Sequence, residues 1–251
     1  MVKANQSQKS VREPIVVRVG LSFIVPIVGA FLLSFLAGGF STANGQGQAP
    51  FFAGLGVSSW LLGMRWYGVK EMGFRGKRPL FSSIGFATLG WVTFLASRFY
   101  FVDIAELVPG SGSTFMYMLL FEAFALQIWT FGLLFRVLAE WRGGLTAAIS
   151  SGVVFGAVGF LMFQEAYSNS FTALLSFATW GIFYGVIRLR SGSLLGIVII
   201  QAMQSFTGWL VITPFPEPIP TQLNPFYLAT AAAYLLFIWR LWPKVAEDYR
   251  V

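Results

Sequence analysis

The sequence predicts an all-α fold, a polytopic membrane helical bundle of about eight transmembrane helices with N and C termini cytoplasmic. Three observations predict it. Of the 251 residues, 56% are hydrophobic and only 11% charged, about half the charged share of a soluble domain. Mean hydropathy is +0.70. The apolar residues fall in long runs, near the ~20 residues that a bilayer core requires, and the basic residues gather in alternate short loops between them.

Residues 1–14 are polar, with Lys3, Lys9 and Arg12, and are expected to form a cytoplasmic tail. The transmembrane domain is expected over 15–242. Span one runs from Ile15 to Phe40. Ser41-Thr42-Ala43 resembles a signal cleavage site, but the apolar run exceeds the ~7–15 residues of a signal core, so an uncleaved anchor is expected. Span two, Phe51 to Val69, ends in a basic loop with Lys70, Arg75, Lys77 and Arg78. Span three, Leu80 to Phe101, leads to Asp103, Glu106 and the flexible Gly110-Ser111-Gly112. Span four covers Thr114 to Leu138. Spans five (Leu145–Tyr167) and six (Phe171–Ile187) form a hairpin across 168–170. Span seven follows Ser191-Gly192-Ser193 and ends before Pro214–Pro220, a stiff outer lid or a docking motif. Span eight, Phe226 to Trp242, leaves the cytoplasmic tail 243–251.

The formal charge of +7 could suggest nucleic acid, but the charge positions exclude it. With both termini inside, all of the 17 basic residues except Arg98 lie at or beside the cytoplasmic face, as the positive-inside bias demands. The surplus therefore serves insertion and contact with anionic lipid. Arg98 is expected to snorkel outward near Asp103. There is no cysteine and no histidine, which removes thiolate chemistry, imidazole bases and the usual nitrogen and sulfur metal ligands. No cofactor and no metal are expected.

The stretch Ser191–Trp209, SGSLLGIVIIQAMQSFTGW, interrupts an apolar helix with Gln201, Gln204 and Ser205. Gln201 and Ser205, four apart, share one face, and stacked polar groups inside lipid normally face a protein interior. This segment resembles the third signature helix of the CAAX-protease and bacteriocin-processing family of intramembrane proteins, which carries a His and, four residues on, an Asn. The resemblance extends back to span four, giving a family-like core of about 114–212. GLLFRVL, Gly132–Leu138, is similar to the segment after the family's Glu-Glu-x-x-x-Arg signature, whose positions fall on Leu126, Gln127 and Phe131. SSGVVFGAVGF is similar to the second signature, with its Phe at Phe155 and its His position at Gly159. A slipped register would put Glu122, Ala123 and Gln127 on the first signature, but it breaks the match at Gly132–Leu138. In active members, as the resemblance implies, glutamate and histidine activate a water, alone or with a metal. Gln, Gly and Leu cannot take that proton, so a degenerate, non-proteolytic member is expected.

The candidate functional pocket is Glu122, Gln127, Gln201, Gln204 and Ser205. Glu122 lies inside span four, where an ionisable group is costly. It is either a functional acid or a clip between helices, bonded to Gln201, Gln204 or a tyrosine. Glu165 is expected at the outer interface beside Gln164 and Tyr167. Gly152, Gly156 and Gly159, like Gly181 and Gly185, form small-residue stripes for close helix packing.

Three functions fit, in this order. The first is a scaffold, assembly or regulatory partner of another integral membrane protein. Non-proteolytic members of the family, as the resemblance implies, assist envelope enzymes, regulatory kinases or pigment and photosystem assembly. The second is a hydrolase rearranged around Glu122, with Glu165 as a second, helping acid; the third is a small transporter with a midplane site. Lipid and a membrane protein are the expected partners, not nucleic acid. The expected location is a cell inner membrane or a thylakoid-type membrane.

Overall fold

The computed structural model describes residues 13–38, 48–102, 111–162, 170–212, 220–245 and 249–250. Among them there is no strand. Eight helices follow one another: α1 Ile15–Leu36, α2 Ala49–Trp66, α3 Arg78–Phe101, α4 Ser111–Arg142, α5 Gly144–Met162, α6 Phe171–Ser191, α7 Leu195–Ile212 and α8 Pro220–Leu241. The chain is thus an all-helical integral membrane protein. The expectation of about eight spans is met only in part, because five helices (α1, α3, α4, α5 and α6) are long and apolar enough to cross a bilayer. Arg65 and several Gly and Ser residues dilute α2, and α8 begins with Thr221, Gln222 and Asn224; α7 is apolar over Leu195–Gly208, the part of it whose side chains are described.

Two helices form the centre. In α4, 78% of the apolar window is buried, and in α6 72%, against 22% in α1 and in α3. α4 is held between α2 and α7, and α6 between α5 and α8, while α1 lies on α2 and α3 on α7. The core runs through Leu126, Phe131, Phe135, Phe155, Phe183, Tyr184 and Ile197. On the periphery Phe35, Phe81, Phe99 and Trp239 are exposed, as lipid-facing side chains of a membrane bundle should be.

The glycine stripes face each other across α5 and α6. A Cβ on Gly156 would fall 2.6 Å from the Phe177 carbonyl oxygen, and one on Gly152 2.6 Å from the Ile182 backbone. Only hydrogen fits there, so the backbones approach closely, the way small residues drive helix association in lipid. The turn after α6 closes on Gly192, whose φ of 72° is left-handed and favours glycine.

α4 is not a regular α-helix. Met118–Ala123 and Ile128–Leu134 are π-helical, a rare widening that recurs at functional sites. Trp129 fixes α1 to this helix by donating its indole N–H to the Ser22 carbonyl at 2.9 Å. At the end of α4, Glu140 accepts from both terminal nitrogens of Arg18, at 2.7 and 2.9 Å, and from the Tyr67 hydroxyl at 3.0 Å. Burial, with the bond to Glu140 second, holds that hydroxyl above the usual phenol range, so it remains a donor.

Arg98 departs from expectation. It is fully buried, with its guanidinium 4.9 Å from the centre of the Phe226 ring and 5.9 Å from that of Phe94. The aromatic faces of α3 and α8 hold the cation inside, so it does not snorkel to the surface. Asp103, Glu106, Gln164, Glu165, Tyr167 and most of the Pro214–Pro220 segment lie outside the described residues.

Candidate functional site

The site is built where α4 meets α7. Both helices are apolar on most faces, so the few amides and hydroxyls they carry turn inward and toward one another. Gln127 on α4 and Gln201 on α7 are both fully buried. Gln127 Nε2 donates to Gln201 Oε1 at 2.5 Å. This single bond joins two helices at the centre of the bundle and leaves Gln127 Oε1 and Gln201 Nε2 without a hydrogen-bond partner among the described residues.

Further along the same interface, Glu122 and Ser205 face each other. The Ser205 hydroxyl acts on the Glu122 carboxyl, although neither Glu122 Oε1 nor Ser205 Oγ reaches hydrogen-bond geometry with any described group. The hydroxyl of Tyr117 lies within electrostatic reach of the same carboxyl and is likewise buried without a hydrogen-bond partner. Tyr117 precedes Glu122 by five residues, at the start of the π-helical segment, whose hydrogen bonds run five residues apart. Three buried polar atoms therefore gather beside the amide pair. Glu122 does not bond to Gln201 or Gln204.

Gln204 belongs elsewhere. Its Nε2 donates to the Tyr234 hydroxyl on α8 at 2.8 Å, and its Oε1 accepts from the Tyr184 hydroxyl on α6 at 3.4 Å. One residue before Ser205 on a helix points about a quarter-turn away. The candidate pocket thus divides into an α4/α7 group with Glu122, Gln127, Gln201 and Ser205, and a separate α6/α7/α8 group around Gln204.

The remaining signature positions are hydrocarbon. Leu126 is buried in the core. Phe131, at the arginine position, packs on Phe155 with ring centres 5.6 Å apart, and Phe155 continues into Trp180 and Tyr184. Gly159 abuts the Phe177 ring, which a Cβ would approach to 3.2 Å. The site residues do not fit a catalytic metal. They offer amides, a hydroxyl and one carboxylate, whereas a hydrolytic site needs several imidazole, thiolate or carboxylate ligands. Among the described residues no group of three such side chains converges.

Two features were not read from the sequence. Tyr117 was invisible because α-helical spacing separates it from Glu122. An apolar cavity of about 320 Å³ between α2 and α4, lined by Phe52, Gly56, Trp60, Leu120, Phe124 and Ala125, leaves no pattern in a chain that is apolar throughout. It lies beside the Glu122 segment without including Glu122 among its walls.

Comparison with known proteins places this interface within a recognised pattern. Residues 108–207 match the family model described as type II CAAX prenyl endopeptidase Rce1-like. The match covers about two fifths of the chain, runs from α4 into α7, and includes Glu122, Gln127, Gln201 and Ser205. No curated protein matches the chain.

Proposed function

We propose that this protein is a non-proteolytic relative of the CAAX-type intramembrane endopeptidases that serves as a scaffold, assembly or regulatory partner of another integral membrane protein. The observation that carries the proposal is the amide pair. The positions that resemble the catalytic glutamate and histidine are Gln127 and Gln201, and they bond to each other at 2.5 Å. An amide is neither a base nor an acid near neutral pH, so a water held there gains no proton acceptor. Leu126 and Gly159 complete the loss. The bundle around the centre is closely packed, with α4 and α6 buried inside their neighbours. A packed bundle with a closed centre supports a binding role more readily than a chemical one, although fold alone does not fix function.

The test has two parts. The purified protein in mild detergent is expected to leave prenylated and unmodified peptides uncut. Turnover that disappears in Glu122→Gln would overturn the proposal in favour of a hydrolase rearranged around that acid. Isolation from the native membrane is expected to yield one stoichiometric membrane partner with the wild type and with Glu122→Gln alike. A monodisperse protein with no partner in either case would remove the scaffold role.

A further inference from the structure

We infer that Arg75, Arg136 and Arg188 form a seat for a phosphate-type oxyanion at the basic end of the bundle. Arg188 is the starting point. It sits near the end of α6, fully buried, with its guanidinium 5.0 Å from the centre of the Phe135 ring. Its Nε donates to the Phe131 carbonyl and its Nη2 to the Glu71 carbonyl, each at 3.1 Å. Its Nη1 is buried with no acceptor among the described residues, and so is Nε of Arg136.

Like charges crowd Arg188. The charges of Arg75 and Arg136 act against Arg188, and Glu71 is the favourable charge acting on it. That carboxylate is already shared, 3.2 Å from Arg136 and 3.7 Å from Arg75. Glu71 is thus engaged by Arg75 and Arg136, and the most buried guanidinium, Arg188, donates to two neutral backbone carbonyls. A buried cation is costly unless paired. Insertion and general lipid attraction require basic residues at the surface; they do not require an arginine in the interior with a spare donor.

The surroundings are preassembled and reachable. The loop carrying Glu71 and Arg75 is tied to the α6–α7 turn, because Leu194 N–H donates to the Gly73 carbonyl at 2.7 Å and the Ser193 hydroxyl to the Arg75 carbonyl at 2.8 Å. Arg136 and Arg75 keep side-chain exposures of 23% and 28%, so a ligand can approach from the membrane interface. Guanidinium forks match phosphate oxygens well. The ligand is accordingly a phosphate group, carried either by an anionic lipid headgroup or by a soluble phosphate.

The test uses the full-length protein, delipidated in a neutral detergent, and measures thermal stabilisation and bound lipid by native mass spectrometry. Phosphatidylglycerol, phosphatidylcholine and inorganic phosphate are compared for wild type, Arg136→Gln, the Arg75→Gln/Arg136→Gln double variant, Glu71→Gln and the exposed control Arg65→Gln. Arg188 is left intact because it also holds two backbone carbonyls. Wild type is expected to retain phosphatidylglycerol over phosphatidylcholine, Arg136→Gln to lose about tenfold in affinity, as for one charge-assisted contact, and Arg65→Gln to behave as wild type. Glu71→Gln is expected to bind more tightly, a gain that mere structural damage does not produce. Stabilisation by inorganic phosphate, lost in the double variant, would support the seat with a soluble anion as its source. Equal binding by wild type and the double variant, an equal loss in Arg65→Gln, or no response to lipid or phosphate would overturn the inference.

Discussion

Replacing Gln127 by leucine tests the closed centre most directly. The side chain is fully buried and its Nε2 makes one hydrogen bond, to Gln201. Removing it strands the whole Gln201 amide in hydrocarbon. A stranded buried polar group costs about 1–3 kcal/mol, while leucine recovers part of this by packing in apolar surroundings. Interhelical hydrogen bonds in membrane proteins average only ~0.6 kcal/mol, with a maximum near ~1.7. The coupling between the two amides should fall near the upper end, about 1–1.5 kcal/mol, because no water competes for either. Gln127→Leu and Gln201→Leu are thus each expected to destabilise by about 1–2 kcal/mol. The double variant should approach wild type, since Gln127 Oε1 and Gln201 Nε2 are unpartnered already and their burial cost vanishes with them. Reversible unfolding in mixed micelles, run as a double-mutant cycle, measures this. Strict additivity of the two single variants would refute the reasoning, because independent residues cannot form a lock.

Three further outcomes follow from the packing. Gly156→Ala is expected to cost about 2 kcal/mol or more in the same assay, since its Cβ would press on the backbone of Phe177, whereas Gly159→Ala meets only the edge of that ring and should cost under about 1 kcal/mol. Glu140→Ala should destabilise by about 2–4 kcal/mol by leaving Arg18, with 6% side-chain exposure, without its carboxylate; Tyr67→Phe, which removes one donor, should cost about 1 kcal/mol. Tyr234→Phe leaves Gln204 Nε2 without its acceptor at 2.8 Å and should cost about 1 kcal/mol in stability, with no effect on partner retention, because that group is separate from the α4/α7 interface.

Helix positions were legible because hydropathy alone sets them. Boundaries read from runs of apolar residues agree with α3, α5 and α6 to within a few residues where both are described. The inward face of Gln201 and Ser205 was legible too, because four-residue spacing on a helix admits one geometry. The limits are equally physical. Composition counts Arg188 as one more loop charge, and only tertiary packing shows it enclosed beneath Phe135. Arg98 misled for the same reason: a cation near a helix end usually reaches water, and the rings of Phe94 and Phe226 that hold it here come from two separate helices. Gln204 was grouped with its chain neighbours, while its partners Tyr184 and Tyr234 lie on α6 and α8. The π-helical segments of α4 leave no periodic signature in a sequence whose apolar residues are nearly continuous.

On the proposed non-proteolytic reading, the side chains at the centre account for how the bundle holds together there. A glutamate facing a histidine across two helices is a polar pair whose burial cost is offset by function, hydration or a bound ion. Replacing both with hydrocarbon would leave helix association to packing alone. Two glutamines keep an interhelical hydrogen bond, carry no charge, and have nearly the length of the glutamate they resemble. Phe131 and Phe155 fill the neighbouring space with ring contact, where an arginine would need its own counter-ion. Gln127, Phe131 and Gln201 each hold a neutral side chain where the signature position they resemble carries an ionisable one. The Glu122 carboxyl stands just beyond this neutral zone beside Ser205 and Tyr117. If the site still served hydrolysis, polar groups should converge on the scissile position between α4, α5 and α7. Instead the α5 contribution is Gly159 against the Phe177 ring, which makes that side of the interface apolar.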